Sequence, residues 1–405
     1  MKSLSTRPPC LTRRRIRAHG LLLAVCLWSV YAVDMSTPTL RDRNGLIKGT
    51  DFLHFYTLGT LALRGRGDLL YDMQAQSELL AQRVPQAAGT VYLPLYGPQI
   101  SLLFAPFAAL PYAWALAAWL VVNGFIYAAC CYSLWRSCLK LHAEGWTVVI
   151  LALAFPALFH LVAWGQTSGL ALACFALAYM ALRSQSRLMA GLAIGCLMFK
   201  PQLGLAAAVV FVFAGEWRVV AGAVLSAAFQ LAVGWWHYGS GVMETYLLAL
   251  RHVRDVMPLL EPRPYQMHSL RAFWSLLVPW PGVAFALYVV TAAVCLGLAV
   301  ACWRLESDLG LRFSALLLTT VLISPHLTVY DLVILAPVFL FLVDHIIGYS
   351  CRQTALLELL LYSCYPLFLL GPLVRYTHLQ ISVAALAALL LLICLGRHGT
   401  EPRAL

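Results

Sequence analysis

The chain has 405 residues, of which 61% are hydrophobic and only 11% charged. A soluble domain carries about 25% charged and about 45–50% apolar residues, so an ordinary water-soluble fold is excluded. The formal net charge of +11 does not signal nucleic acid, because Lys and Arg form no single patch. They stand in short clusters between apolar blocks: Arg13 to Arg15, Arg136 with Lys140, Arg183 with Arg187, Arg218, Arg304, Arg352 and Arg397. The blocks run to roughly 15–22 residues, close to the roughly 20 needed to cross a bilayer. Backbone polar groups in lipid must be satisfied within the segment, so the blocks are helices. The fold class is all-α, polytopic and membrane-embedded.

Residues 1–18 form a basic N-terminus and 19–35 a first span. The run Arg13 to Arg17 before Leu21–Val33 is similar to a signal peptide. No clean small-x-small cleavage site follows, so an uncleaved first helix is expected. A long polar stretch, 36–96, comes next and holds no span. Within it Asp51–Leu63 has the apolar spacing of an interfacial helix, and Tyr71–Val84 of a second.

Segment 97–135 is too long for one span. Pro106 and Pro111 break its first part, which gives a short or re-entrant helix over 97–110 and a span over 112–135. A single crossing here puts every basic cluster on the cytoplasmic side, whereas two crossings would put them all outside, against the positive-inside bias. The later spans are expected at 146–163, 166–183, 188–200, 202–216, 218–237, 282–303, 311–324, 330–348, 355–371 and 379–396. That makes about 12 crossings in one membrane domain, 1–405, with a cytoplasmic tail at 397–405. The short pair around Lys200-Pro201 reads as a hairpin whose polar tip is buried in protein.

Most of the twelve cysteines, Cys26, Cys130, Cys131, Cys174, Cys196, Cys295 and Cys394 among them, lie within apolar blocks. There Cys is a small hydrophobe, and neither disulfides nor a metal site are expected.

This threading rests on hydropathy and basic residues alone, yet it gathers polar residues at the outer face. They are Asp51 and His54, Gln166 in WGQTSG, Lys200 in MFKPQ, Gln266–Arg271 in QMHSLR, and His326, Tyr330 and Asp331 in SPHLTVYD. Ionisable groups at membrane depth are costly and mark function. An acid beside cations can deprotonate a hydroxyl while neutralising a phosphate leaving group. Each residue also has a plainer reading. Asp51, Asp331 and His326 sit at helix starts and suit capping, Lys200 can snorkel, Gln166 can link helices, His54 can be packing, and Arg271 can meet lipid headgroups.

The chain resembles glycosyltransferase family 87, relatives of the polyprenyl-phosphate-sugar-dependent mannosyl- and arabinosyltransferases of the GT-C superfold. Five pieces carry the resemblance in order over roughly residues 48–340: GTDFLHFYTLGTLALRGRGDLLYD, VYLPLYGPQISLLFAPFAALPYAWA, WGQTSGLALACFALAYMALRSQSRLMAGLAIGCLMFKPQLG, HSLRAFW and SPHLTVYDLVILAP. The resemblance implies an acidic catalytic base early in the first outer loop, at the position of Asp51. It implies a polyprenyl-phosphate sugar donor, a glycan or glycolipid acceptor and inversion at the sugar. The site would face the outside of the plasma membrane, with the phosphate held by Lys200 and by Arg271 or His326. No cofactor, metal or nucleic-acid partner is implied. Leu93-Pro94-Leu95-Tyr96-Gly97-Pro98 and Ser168 depart from the family pattern, which bears on the acceptor. The competing readings are a transporter or flippase of a lipid-linked saccharide, for which no internal repeat is visible, and a membrane acyltransferase.

Overall fold

The computed structural model describes residues 12–253, 263–348 and 352–396. Part of the expected basic N-terminus (1–11), and the tail with Arg397, lie outside the described residues. Among the described residues the chain is helical, with two isolated β-bridges and no strand.

The helices run in order as follows. α1 (Arg13–Met35) is followed by the long loop with α2 (Phe52–Leu63) and α3 (Met73–Arg83), then α4 (Gln99–Ala108) and α5 (Tyr112–Trp135). α6 (Gly145–Leu153), α7 (Pro156–Trp164), α8 (Ser168–Arg183), α9 (Arg187–Gly195), α10 (Pro201–Ala214), α11 (Trp217–Tyr238) and α12 (Ser240–Arg251) follow. The last group is α13 (Leu270–Leu277), α14 (Pro281–Leu305), α15 (Leu309–Ile323), α16 (Ala336–Gly348), α17 (Arg352–Leu367), α18 (Gly371–Thr377) and α19 (Ile381–Leu395).

Five segments are long and apolar enough to cross a membrane: α1, α5, α11, α14 and Val329–Ile347. Two further pairs pass the same test together but are bent, Leu139–Leu153 with α7 by 47° and Thr354–Leu367 with α18 by 88°, the shape of a broken span or of a re-entrant loop. The expected spans 146–163 and 355–371 are therefore not straight. Pro156 opens α7 and has no N–H for the carbonyl four residues back, and Pro372 stands at the start of α18. The outer helices turn residues such as Leu22, Phe125, Trp236 and Phe285 outward, each more than 60% exposed. Bare apolar surface of this extent is stable against lipid and not against water. At the centre, α15 and the start of Val329–Ile347 are almost wholly shielded.

α2 differs from the expected interfacial helix. Every residue from Phe52 to Leu61 is buried, because α4 and α5 pack on it and cover the faces that would otherwise meet lipid headgroups. A helix apolar on all sides belongs in a protein interior. Gly59 makes the contact possible, since a Cβ there would lie 2.5 Å from the Phe104 carbonyl oxygen. α3 does remain half-exposed, capped by Asp72 through the N–H groups of Gln74 and Ala75. α4, at 10 residues, extends about 15 Å and cannot cross a bilayer alone.

The short pair α9 and α10 meets at Lys200, which is buried as expected. α9 lies hard against α11: a Cβ on Gly191 would sit 2.0 Å from the Val219 carbonyl oxygen, the close approach that small residues allow between membrane helices.

Several described members of the basic clusters lie beside acidic residues. Arg13 and Arg17 pair with Glu144, and Arg187 pairs with Glu216. Arg183, Asp308 and Asp344 lie close enough to act on Cys138 electrostatically. Polar residues of the candidate site share a cavity with Asp34 and Met35, where α1 terminates.

Candidate active site

Asp51 is placed by its own loop. The Asp51 N–H donates to the Trp164 carbonyl at 3.0 Å. The Tyr112 hydroxyl donates to the Lys48 carbonyl (2.6 Å), and the Tyr92 hydroxyl to that of Thr50. Asp51 occupies the N-cap position of α2, yet its side chain caps nothing. Its Oδ2 instead accepts a hydrogen bond from Gln166 Nε2 at 2.9 Å. The carboxyl is half-buried and opens only into a cavity. Burial pushes it up to about 6, against the pull of the Gln166 hydrogen bond and of the positive charge on Lys200.

Gln166 is held just as firmly. Gly165 takes the left-handed conformation (φ 67°) that ends α7. Trp119 Nε1 donates to the Gly165 carbonyl (2.9 Å) and Asn123 Nδ2 to the Gln166 carbonyl (2.6 Å). Gln166 Oε1 accepts from the Thr167 N–H (2.9 Å), which turns the amide so that its NH₂ faces Asp51.

Two residues further on, Ser168 joins a second network. Lys200 Nζ lies 2.5 Å from Asp331 Oδ1 and donates to Ser168 Oγ at 2.9 Å, while Ser168 Oγ donates to Asp331 Oδ1 at 2.6 Å. Asp331 Oδ2 accepts from the N–H and hydroxyl of Thr328, completing a capping box. Lys200 and Asp331 are 4% and 2% exposed, and the ammonium stands 5.0 Å from the Tyr330 ring centroid. Both are fully engaged with the protein. An ion pair so deeply buried is stable only with its remaining hydrogen bonds satisfied, as they are here.

The cavity measures about 980 Å³, at the upper end of the roughly 300–1,000 Å³ of ligand pockets. Asp51, His54, Gln166, His326 and Tyr330 line it, as do Tyr92, Tyr96, His160 and His268. Lys200, Asp331 and Arg271 are not in its lining. Arg271 sits nearby, its Nη1 donating to the Pro325 carbonyl at 2.9 Å, next to His326. The antiparallel bridge Met267–Thr328 and the bond from the His268 N–H to the Leu327 carbonyl (3.0 Å) bring QMHSLR and SPHLTVYD together.

His54 has an unusual position. It is 4% exposed, one turn from Asp51, with the Tyr92 and Tyr96 rings 5.1 and 5.6 Å away. Neither ring nitrogen has a hydrogen-bond partner in the protein. A buried imidazole without a partner stays neutral, and although His54 contributes to the cavity wall, both of its nitrogens are shielded from the open space.

Several wall residues were not anticipated from the sequence. Tyr92 and Tyr96 lie in a loop without periodicity. Asn123, which is outside the lining and holds the Gln166 carbonyl, is a lone amide in an apolar span, which is itself a signal. His160 carried none beyond its residue type, whereas His268 falls within the stretch Gln266–Arg271 that the sequence does single out. Among the described residues no group of three or more His, Cys, Asp or Glu side chains is placed to hold a metal ion.

A carboxyl opening into a ligand-sized cavity, within a bundle of helices with apolar outer faces, has the arrangement of a membrane enzyme's site. The chain belongs to glycosyltransferase family 87, whose family model matches residues 95–325. The match takes in Gln166, Lys200 and Arg271, while Asp51, His54, His326, Tyr330 and Asp331 lie outside it. No curated protein and no solved structure gives a match.

Proposed function

We propose that this glycosyltransferase moves a sugar from a polyprenyl-phosphate donor to an acceptor hydroxyl in the 980 Å³ cavity, with Asp51 as general base and inversion at the anomeric carbon. The observation that carries the proposal is the carboxylate of Asp51, which opens into the cavity and is oriented by Gln166 instead of capping α2. The acceptor hydroxyl gives its proton to Asp51 as its oxygen bonds to the anomeric carbon. The bond from that carbon to the phosphate oxygen breaks, and its electron pair leaves with the lipid phosphate. One base is sufficient, because a phosphate monoester leaves without protonation and inversion needs no paired carboxylate nucleophile.

His54, packed against the Tyr92 and Tyr96 rings, shapes the wall beside Asp51 where the acceptor hydroxyl is held. His326 and Tyr330 stand on the same wall system for the phosphate, with Arg271 beside His326. Lys200 supports them from behind the wall: its pair with Asp331 braces Ser168 and Tyr330.

We place the cavity at the periplasmic face of the plasma membrane, with twelve crossings. Counting each bent pair once and adding five of the seven shorter apolar helices to the five long ones gives that number, with α2 and α4 excluded as too short. The test is chemical. Purified protein supplied with a polyprenyl-phosphate sugar and an acceptor releases polyprenyl phosphate, and Asp51→Asn does not. Movement of the intact lipid-linked sugar with no release would instead indicate a flippase.

A further inference from the structure

A second cavity lies at the opposite end of α1. It measures about 340 Å³ and is lined by α1, α5, α6, α16 and α17, again within the size range of ligand pockets, roughly 300–1,000 Å³. We propose that it binds one acyl chain of an anionic phospholipid from the leaflet at the Arg13 end of the bundle. The proposal is independent of the transfer chemistry.

The interior excludes water. Its tyrosine hydroxyls are already committed: Tyr127 donates to the Ala152 carbonyl (2.9 Å) and Tyr365 to the Leu151 carbonyl (3.1 Å). The Ala152 carbonyl is available because Pro156, four residues on, has no N–H to give it. A water inside would find few of the two to four polar partners it requires, whereas a hydrocarbon chain requires none.

The polar groups of the lining concentrate at the Arg13 end. Arg13, Glu144 and Thr147 stand there, and His19 of α1 hydrogen-bonds Tyr362 of α17. This apolar-to-charged gradient matches an amphipathic lipid lying parallel to α1. Charge selects the head group. Arg13, Arg14, Arg15 and Arg17 fall within the first turns of α1, while the carboxylates in the lining are Glu144 and Glu358. Arg13 and Arg17 pair with Glu144. Arg14 and Arg15, which flank the lining residues Arg13 and Ile16 in sequence, bring the arginines to four against two carboxylates, and basic residues at a mouth between membrane helices suit an anionic head group.

The inner end is closed. Phe155, Phe339 and Tyr365 of the lining pack edge-on at 5.3–5.7 Å between ring centroids. Phe368 lies behind them and lines the transfer cavity instead. The acyl chain therefore ends against the back of the aromatic wall that separates the two cavities.

The test uses full-length protein in vesicles of phosphatidylglycerol or phosphatidylcholine, each with a photoreactive diazirine halfway along one acyl chain. Irradiation and peptide mapping read where the chain sits. Labelling concentrated on α1, α16 and α17 in phosphatidylglycerol is expected. Leu23→Trp and Leu340→Trp, which fill the cavity from opposite walls, are each expected to remove it. Replacing Arg14 with Gln is expected to lower it about fivefold, the effect of one arginine near an anionic surface. Equal labelling by phosphatidylcholine overturns the head-group assignment. Labelling no denser here than on the lipid-facing α11 and α14, or unchanged in both Trp variants, overturns the cavity itself. The wild-type comparison requires no variant to fold.

Discussion

Gln166 donates its side-chain amide to the Asp51 carboxylate at 2.9 Å, across 115 positions of sequence. The same bond frees Asp51 from its helix and ties it to the turn between α7 and α8. Its strength is tuned by surroundings that raise the carboxyl toward neutrality while the amide holds it ionisable.

Asp51→Asn keeps the shape and an acceptor oxygen for Gln166, so the fold is expected to survive. Transfer is expected to fall by about 10²- to 10⁴-fold, the usual contribution of a general base. Release of polyprenyl phosphate together with a thermal melt separates loss of chemistry from loss of structure. Wild-type turnover in this variant would exclude Asp51 as the base.

The pH dependence follows from the sign of the shift. A base works deprotonated, and the Asp51 carboxyl is pushed up to about 6, so kcat/KM is expected to fall as the pH drops through about 6. A plain exposed aspartate would lose activity only near pH 4. A flat profile down to pH 5 would contradict the assignment.

Gln166→Leu removes the hydrogen bond that favours the charged carboxylate. The acid limb of the same profile is expected to move to higher pH. An unchanged limb with reduced KM-independent activity would mean that Gln166 only supports packing.

Lys200 and Asp331 form a buried pair, so removing either leaves a lone charge among apolar groups. Lys200→Met or Asp331→Leu alone is expected to destabilise by about 3–5 kcal/mol. The double variant is expected to recover much of that loss. Thermal unfolding of the three proteins measures it; equal loss in all three would show that the pair is not a structural brace.

His54→Phe replaces an orphaned polar ring by an apolar one of similar size. The variant is expected to melt at or above the wild-type temperature, because an unsatisfied buried group is removed. The acceptor KM is expected to rise while the donor KM holds. Titrating each substrate separately distinguishes the two.

Much of this architecture was legible in the chain. Long apolar blocks such as Tyr112–Trp135 announced spans, and Lys200 beside Pro201 announced a buried tip. Asp51, His54, Gln166, His326 and Tyr330 do share one cavity. Other features could not be read. The burial of α2 depends on α4 lying against Gly59, a contact between segments that hydropathy treats as separate. The ion pair of Lys200 with Asp331 spans 131 positions, and no local pattern records such a distance. Pro156 and Pro372 signalled bends, but span-length averaging smoothed them away.

Asp51 is secured twice by one short stretch, through its N–H to Trp164 and through its carboxylate to Gln166. Base and turn therefore behave as a single rigid part. Further walls come from the loops around Asn44 and Tyr92, from the paired segments at Met267 and Thr328, and from Phe368 to Pro372. Substitutions in those loops are expected to reshape the cavity while the Asp51–Gln166 unit stays where it is.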